Sequence, residues 1–228
     1  MPTEVLVLPS PLLGRTAYEP FASALTEQGV RVRVAELPEV ALTPAAVLTA
    51  FGEQVRESGA STLVAHSNAG YFVPAVRAAF PVTATVFVDA ALPLGTGPTT
   101  LLAPQQLGEF VAGLPQEGGR LPPWPQWWDP ADVAPLFPTQ GWLERVTDLA
   151  PRLPPAYFTT PVEVPRGWQV QPAAYLGFGD TYAEELTFAR TAGWPVRVLD
   201  GHHLHLLAEP GDTADAVLAL REQLSRPA

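Results

Sequence analysis

The sequence predicts one α/β domain: a mostly parallel sheet with crossover helices and a Pro/Trp-rich helical insertion. Three observations predict it. Short apolar runs alternate with helical patterns along most of the chain, as strand–helix–strand crossovers require. The alternation stops over about residues 95–168 and then resumes. The length of 228 residues suits a single compact unit with a sizeable core, so residues 1–228 are read as one domain.

Val5-Leu6-Val7-Leu8 is the first strand, followed by a Pro/Ser/Gly loop and a helix near 18–26. A second strand spans 30–34, where Val30, Val32 and Val34 alternate with Arg. Thr43 caps a helix that has Pro44 at its first position and runs to about Ser58. A third strand at 61–65 leads into a helix over 68–80. Pro74 inside that helix predicts a kink or a tight first turn. A fourth strand at 83–88 ends at Asp89. Within the insertion, short helices are expected near 105–112, 130–136 and 139–149. Trp124, Trp127, Trp128, Trp142 and Trp168 all fall there, which sets it apart from a polar linker. Strands at 173–178 and 196–199 then flank a helix near 182–192, and a last helix covers 213–224.

Composition excludes several functions. Of all residues 47% are hydrophobic and 16% charged, too apolar for a disordered chain. The net charge of −10, with Arg as its only strong cation type, repels phosphates and argues against nucleic-acid and anionic-membrane partners. Cysteine is absent, which removes disulfides, thiolate metal sites and a Cys nucleophile. Met1-Pro2-Thr3-Glu4 offers no positive n-region before a long apolar stretch. No run reaches the roughly 18–20 apolar residues of a membrane span. A soluble, cytoplasmic protein is the expectation.

The chemistry centres on Ala65-His66-Ser67-Asn68-Ala69-Gly70. A nucleophile elbow places Ser on a turn between strand and helix so tight that its flanking positions must be small. Ala65 and Ala69 are the smallest departure from the usual glycines. The competing reading is a serine that caps the following helix. As a nucleophile Ser67 needs a base. Apart from His66, the histidines are His202, His203 and His205 in Asp200-Gly201-His202-His203-Leu204-His205-Leu206. This cluster follows the last strand, in the order Ser, acid, His. A shared metal among these three is a weaker alternative, because no further ligands group with them. A structural role suits His205 best. For the acid, Asp180 emerges directly after a strand in Gly177-Phe178-Gly179-Asp180, and Asp89 competes from the end of the fourth strand. Either could instead serve a turn or cap.

These motifs resemble the α/β-hydrolase superfamily, in particular short, lid-bearing serine hydrolases. The residues that carry the resemblance are Val5–Leu8 with Pro9-Ser10-Pro11-Leu12-Leu13-Gly14, the Ser67 elbow, Gly177-x-x-Asp180 and Gly201-His202-x-x-His205. The resemblance covers almost the whole chain, least well in the insertion. It implies the α/β-hydrolase fold, Ser67 as nucleophile, His202 as base, Asp180 as acid and the Asn68 N–H as one oxyanion donor. The second oxyanion donor departs from the family: the expected position holds Pro11, which has no N–H, unless a one-residue shift brings in Leu12. A missing donor costs roughly 2.7–4 kcal/mol of transition-state stabilisation.

The insertion stands where the family carries a lid. Trp124, Trp127 and Trp128, with Tyr157 and Phe158, either line an apolar pocket or form the lid's own small core. The leading function is hydrolysis of an ester, thioester or lactone of a small hydrophobic molecule, with no cofactor or metal. A non-hydrolytic lyase, cyclase or dehydratase on the same fold is the alternative, and a binding protein with a decayed site is a third. Oligomeric state is not legible.

Overall fold

The computed structural model describes residues 4–38 and 42–225. Its main sheet has six strands: β1 (Val5–Leu8), β2 (Val32–Val34), β3 (Thr62–Ser67), β4 (Ala84–Ala90), β7 (Ala173–Phe178) and β8 (Val196–Leu199). Two more, β5 (Thr99–Thr100) and β6 (Val162–Glu163), pair antiparallel with each other in the insertion. The main sheet runs β2-β1-β3-β4-β7-β8, with every pairing parallel. β1, β3, β4 and β7 are buried at every position, which explains why they read as near-continuous apolar runs. The edge strands β2 and β8 are partly exposed and carry one Arg each, Arg33 and Arg197.

The helices are α1 (Glu19–Glu27), α2 (Pro44–Ser58), α3 (Val73–Ala79), α4 (Gln105–Ala112), α5 (Pro130–Val133), α6 (Gln140–Leu149), α7 (Ala156–Thr159), α8 (Ala183–Thr191), α9 (His205–Ala208) and α10 (Pro210–Ser225). The α2 start forms as its sequence dictates: the Ala46 N–H donates to Thr43 Oγ1 at 3.2 Å, and Pro44 fills the first position. After Ser67 the chain makes a 3-10 segment, Asn68–Phe72, before α3 begins. Pro74 sits in the first turn of α3, where its missing N–H costs no hydrogen bond. The tight first turn, not a kink, resolves the conflict.

Between β4 and β7 lie β5, β6 and α4–α7. Each of the expected helices forms there, with Thr139 capping α6 through its hydroxyl. The β5–β6 pair is too short for its period to show in sequence. No helix among the described residues is long and apolar enough to cross a membrane.

The chain leaves β1 for the edge at β2 and returns to β3 on the other side of β1. This reversal opens a crevice at the carboxyl ends of β1 and β3, the place where open α/β sheets bind ligands. The loop after β1 carries Leu12, and the end of β3 carries Ser67.

Candidate active site

Ser67 occupies a backbone conformation that side chains rarely adopt, with φ 55° and ψ −134°. The β3–β4 register slips between His66 and Ser67, and the Ala91 N–H donates to the Ser67 carbonyl at 3.1 Å. Strain of this kind persists only where surrounding contacts over-determine it. Ala65 and Ala69 flank the serine fully buried. The closest approach falls one residue later: a Cβ on Gly70 would overlap the Ala91 carbonyl oxygen. Gly70 is therefore the glycine this elbow cannot replace.

The structure brings Ser67 together with His203 and Asp89, and not with His202 or Asp180. His203 Nε2 lies 3.1 Å from Ser67 Oγ, and His203 Nδ1 lies 2.7 Å from Asp89 Oδ2. The second Asp89 oxygen accepts the Phe178 N–H at 2.9 Å. A carboxylate can only accept, so Nδ1 carries the hydrogen and Nε2 is free to take the Ser67 proton. Asp89 is 1% exposed and, like Ser67, has a positive φ, 39°. His202 is instead exposed, and its carbonyl closes a turn by accepting the His205 N–H at 2.7 Å. Adjacent loop residues point in different directions, so that turn selects His203. Asp180 is exposed in the turn after β7, and Gly179, at φ 58°, swings the chain outward there. His205 packs its ring 5.1 Å from Phe178, a structural role. Among the described residues no three His, Asp or Glu side chains converge as a metal site.

Behind Ser67, His203 and Asp89 runs a second buried chain whose directions chemistry fixes. His66 Nε2 lies 3.0 Å from the His203 carbonyl, so it must donate. His66 Nδ1 is then an acceptor and takes the Tyr18 hydroxyl proton at 2.8 Å, while Tyr18 Oη accepts the Ser10 N–H at 2.8 Å. The loop after β1 is thus tied to the His203 loop through two side chains. The His66 ring also stacks on His203 at 4.6 Å. Burial, reinforced by His203, pushes His66 well below the usual histidine range and keeps it neutral. Burial likewise holds Tyr18 well above the usual phenol range.

A cavity of about 220 Å³ opens on Ser67. Its lining includes Leu12, Leu102, Leu107, Trp124, Trp127 and Trp128. The three tryptophans therefore line the site, while Tyr157 and Phe158 pack beneath it. Tyr157 donates to Asn68 Oδ1 at 2.7 Å, and Asn68 Nδ2 donates to the Leu102 carbonyl at 2.6 Å. The side chain beside Ser67 thereby clasps the insertion at two points. In the loop after β1, Leu12 lines the cavity and Pro11 does not. The Leu12 N–H rests on Ser10 Oγ at 3.3 Å, a long bond that a better acceptor can displace. From the other side Tyr182 brings its hydroxyl to 3.5 Å from Ser67 Oγ.

No protein-family model and no curated protein sequence matches the chain. Solved structures do. An extracellular α/β-hydrolase from a Paenibacillus species superposes with a TM-score of 0.71 at 16% identity, covering 100% of both chains. A methylesterase from Arabidopsis gives 0.72 at 10% identity, covering 97% of this chain and 100% of its own. The chain has the α/β-hydrolase fold. A thioesterase domain from the curacin biosynthetic pathway shares it more distantly, with a TM-score of 0.53 at 14% identity, covering 95% of this chain and 91% of its own.

Within this α/β-hydrolase fold, the sequence pattern favoured Asp180, which the structure leaves away from Ser67, although a signal for Asp89 was present. Asp89 stands in Val86-Phe87-Val88-Asp89-Ala90-Ala91-Leu92, a lone charge among apolar residues. A charge so placed is tolerated only when paired. Asp180 is set among Gly179 and Thr181, a solvated turn. Tyr18 and Tyr182 carried no signal, because their partners lie 48 and 115 residues away.

Proposed function

We propose that this chain is a serine hydrolase that cleaves esters or thioesters of small hydrophobic acyl groups. The observation that carries the reading is the unbroken Ser67–His203–Asp89 hydrogen-bond chain at the mouth of an apolar cavity. Ser67 Oγ attacks the acyl carbon while His203 Nε2 takes its proton. Asp89 holds the tautomer and stabilises the imidazolium. The N–H groups of Asn68 and Leu12 receive the oxyanion, Leu12 exchanging its long bond to Ser10 for a charged acceptor. His203 returns the proton to the leaving group, and water then releases the acyl group from Ser67. The insertion serves as lid and acyl wall. A cavity of about 220 Å³ is somewhat larger than the ~150 Å³ that admits benzene, so the acyl part is ring-sized or a short chain. The methylesterase and thioesterase names of two fold neighbours agree with acyl-transfer chemistry. A fluorophosphonate probe should label Ser67 stoichiometrically, and Ser67→Ala should abolish both labelling and hydrolysis of p-nitrophenyl butanoate. Hydrolysis that survives Ser67→Ala would overturn this reading. Labelling without turnover of any ester would favour non-hydrolytic chemistry.

A further inference from the structure

Tyr182 stands against the reacting atoms without belonging to the Ser67–His203–Asp89 chain. Its hydroxyl is 3.5 Å from Ser67 Oγ, and its ring lies 5.5 Å from the His203 ring, tilted by 45°. It follows β7, whereas the loop bearing Leu12 follows β1, and β3 lies between them in the sheet. The phenol therefore approaches Ser67 from the side opposite the oxyanion loop, the side on which His203 presents its proton. At 3.5 Å the contact is too long for a strong resting hydrogen bond. Such contacts tighten when substrate occupies the site, and an oxygen bonded to the carbon under attack lies two bonds from Oγ, within the compass of a hydroxyl 3.5 Å from Oγ. Burial, with the Asp89 and Glu185 carboxylates near it, holds the phenol well above its ordinary range against the opposing pull of Ser67. It stays protonated and acts only as a neutral donor or acceptor.

We propose that Tyr182 is a catalytic residue of the leaving-group side: its O–H donates a hydrogen bond to the departing oxygen as the tetrahedral intermediate collapses. The inference rests on the serine-hydrolase reading. In acylation the Ser67 Oγ–carbon bond forms and the serine proton moves to His203 Nε2. The ester carbon–oxygen bond then breaks, its electron pair goes to the alcohol oxygen, and the His203 proton follows it. Tyr182 keeps its own proton throughout and steadies the negative charge that builds before that transfer. The benefit scales with that charge. It is large for an aliphatic alkoxide and small for p-nitrophenolate, which carries its charge unaided.

The test compares ethyl butanoate with p-nitrophenyl butanoate in the full chain and in Tyr182→Phe, with kcat/KM as the readout because it is blind to deacylation. Tyr182→Phe should lower kcat/KM for the ethyl ester about tenfold or more and for the p-nitrophenyl ester less than about threefold. Equal losses for the two esters, or no loss, overturn the proposal, since a merely structural role would slow both alike. A second measurement needs no variant: across butanoate esters of alcohols of rising pKa, wild-type kcat/KM should fall only shallowly. A steep fall overturns the proposal as well. If Ser67→Ala leaves hydrolysis intact, or neither ester turns over, the hydrolase reading itself fails. Ser67-dependent hydrolysis with equal losses overturns only the role of Tyr182.

Discussion

Replacing Asp89 by Asn tests how far the proposed triad depends on one buried carboxylate. Its oxygens accept two N–H groups, from His203 Nδ1 at 2.7 Å and from Phe178 at 2.9 Å, in a site 1% exposed. Asparagine has one acceptor oxygen and one NH2, so it can accept from only one of them. The Phe178 N–H belongs to the backbone and cannot become an acceptor. The amide oxygen must therefore turn to Phe178, leaving its NH2 against His203. His203 then accepts at Nδ1, carries its hydrogen on Nε2, and can no longer take the Ser67 proton. In Ser-His-Asp enzymes this tautomer inversion costs about 10⁴ in kcat, or roughly 5.5 kcal/mol. Initial rates on p-nitrophenyl butanoate and the rate of fluorophosphonate labelling should both fall by that order, with KM nearly unchanged. Asp180→Asn alters an exposed turn residue and should change neither by more than about twofold. If Asp89→Asn kept more than a tenth of the wild-type kcat while Asp180→Asn lost a hundredfold, the assignment of the acid would be refuted.

His203→Gln should abolish labelling of Ser67, whereas His202→Gln should leave it within about twofold, because His202 is exposed. Gly70→Ala drives a Cβ into the Ala91 carbonyl and should cost about 2–3 kcal/mol, read as a lowered denaturation midpoint; a neutral result would show that the elbow can relax. His66 titrates well below its unfolded value, so the unfolded chain binds the proton first and stability falls with pH. The loss begins as pH drops through about 6.5, at about 1.4 kcal/mol per pH unit from this group. Comparing denaturation free energies at pH 7 and 5 should show that extra loss in the wild type and not in His66→Gln, and identical slopes would contradict it. Leu107→Trp fills part of the cavity and should lower kcat/KM for a hexanoate ester about tenfold while changing acetate less than about threefold.

Much of the scaffold was legible because strands buried on both faces and amphipathic helices leave local periodic signals. β7 and β8 fell at the positions their apolar runs indicated, and α2 was marked by Thr43 and Pro44. The elbow was also local: Ser67, its Ala neighbours and Gly70 are contiguous. The departures came where several residues of one type compete within a few positions. His202, His203 and His205 share a single loop, and only the turn closed at the His202 carbonyl directs His203 inward. Asp89 and Asp180 both follow strands, and only their backbone directions separate a buried acceptor from a solvated one.

The amino-acid sequence by itself determined the order of the main-sheet strands and the longer helices, the serine turn and the histidine-bearing segment after the last strand. These depend on contacts within a few residues. Tertiary structure alone decided which histidine and which aspartate meet Ser67, that Leu12 and not Pro11 faces the cavity, and that Tyr182 stands beside the serine. Those outcomes depend on angstrom-scale directions of groups up to 136 residues apart in the chain, which parallel packing of β1, β3, β4, β7 and β8 brings to one sheet edge.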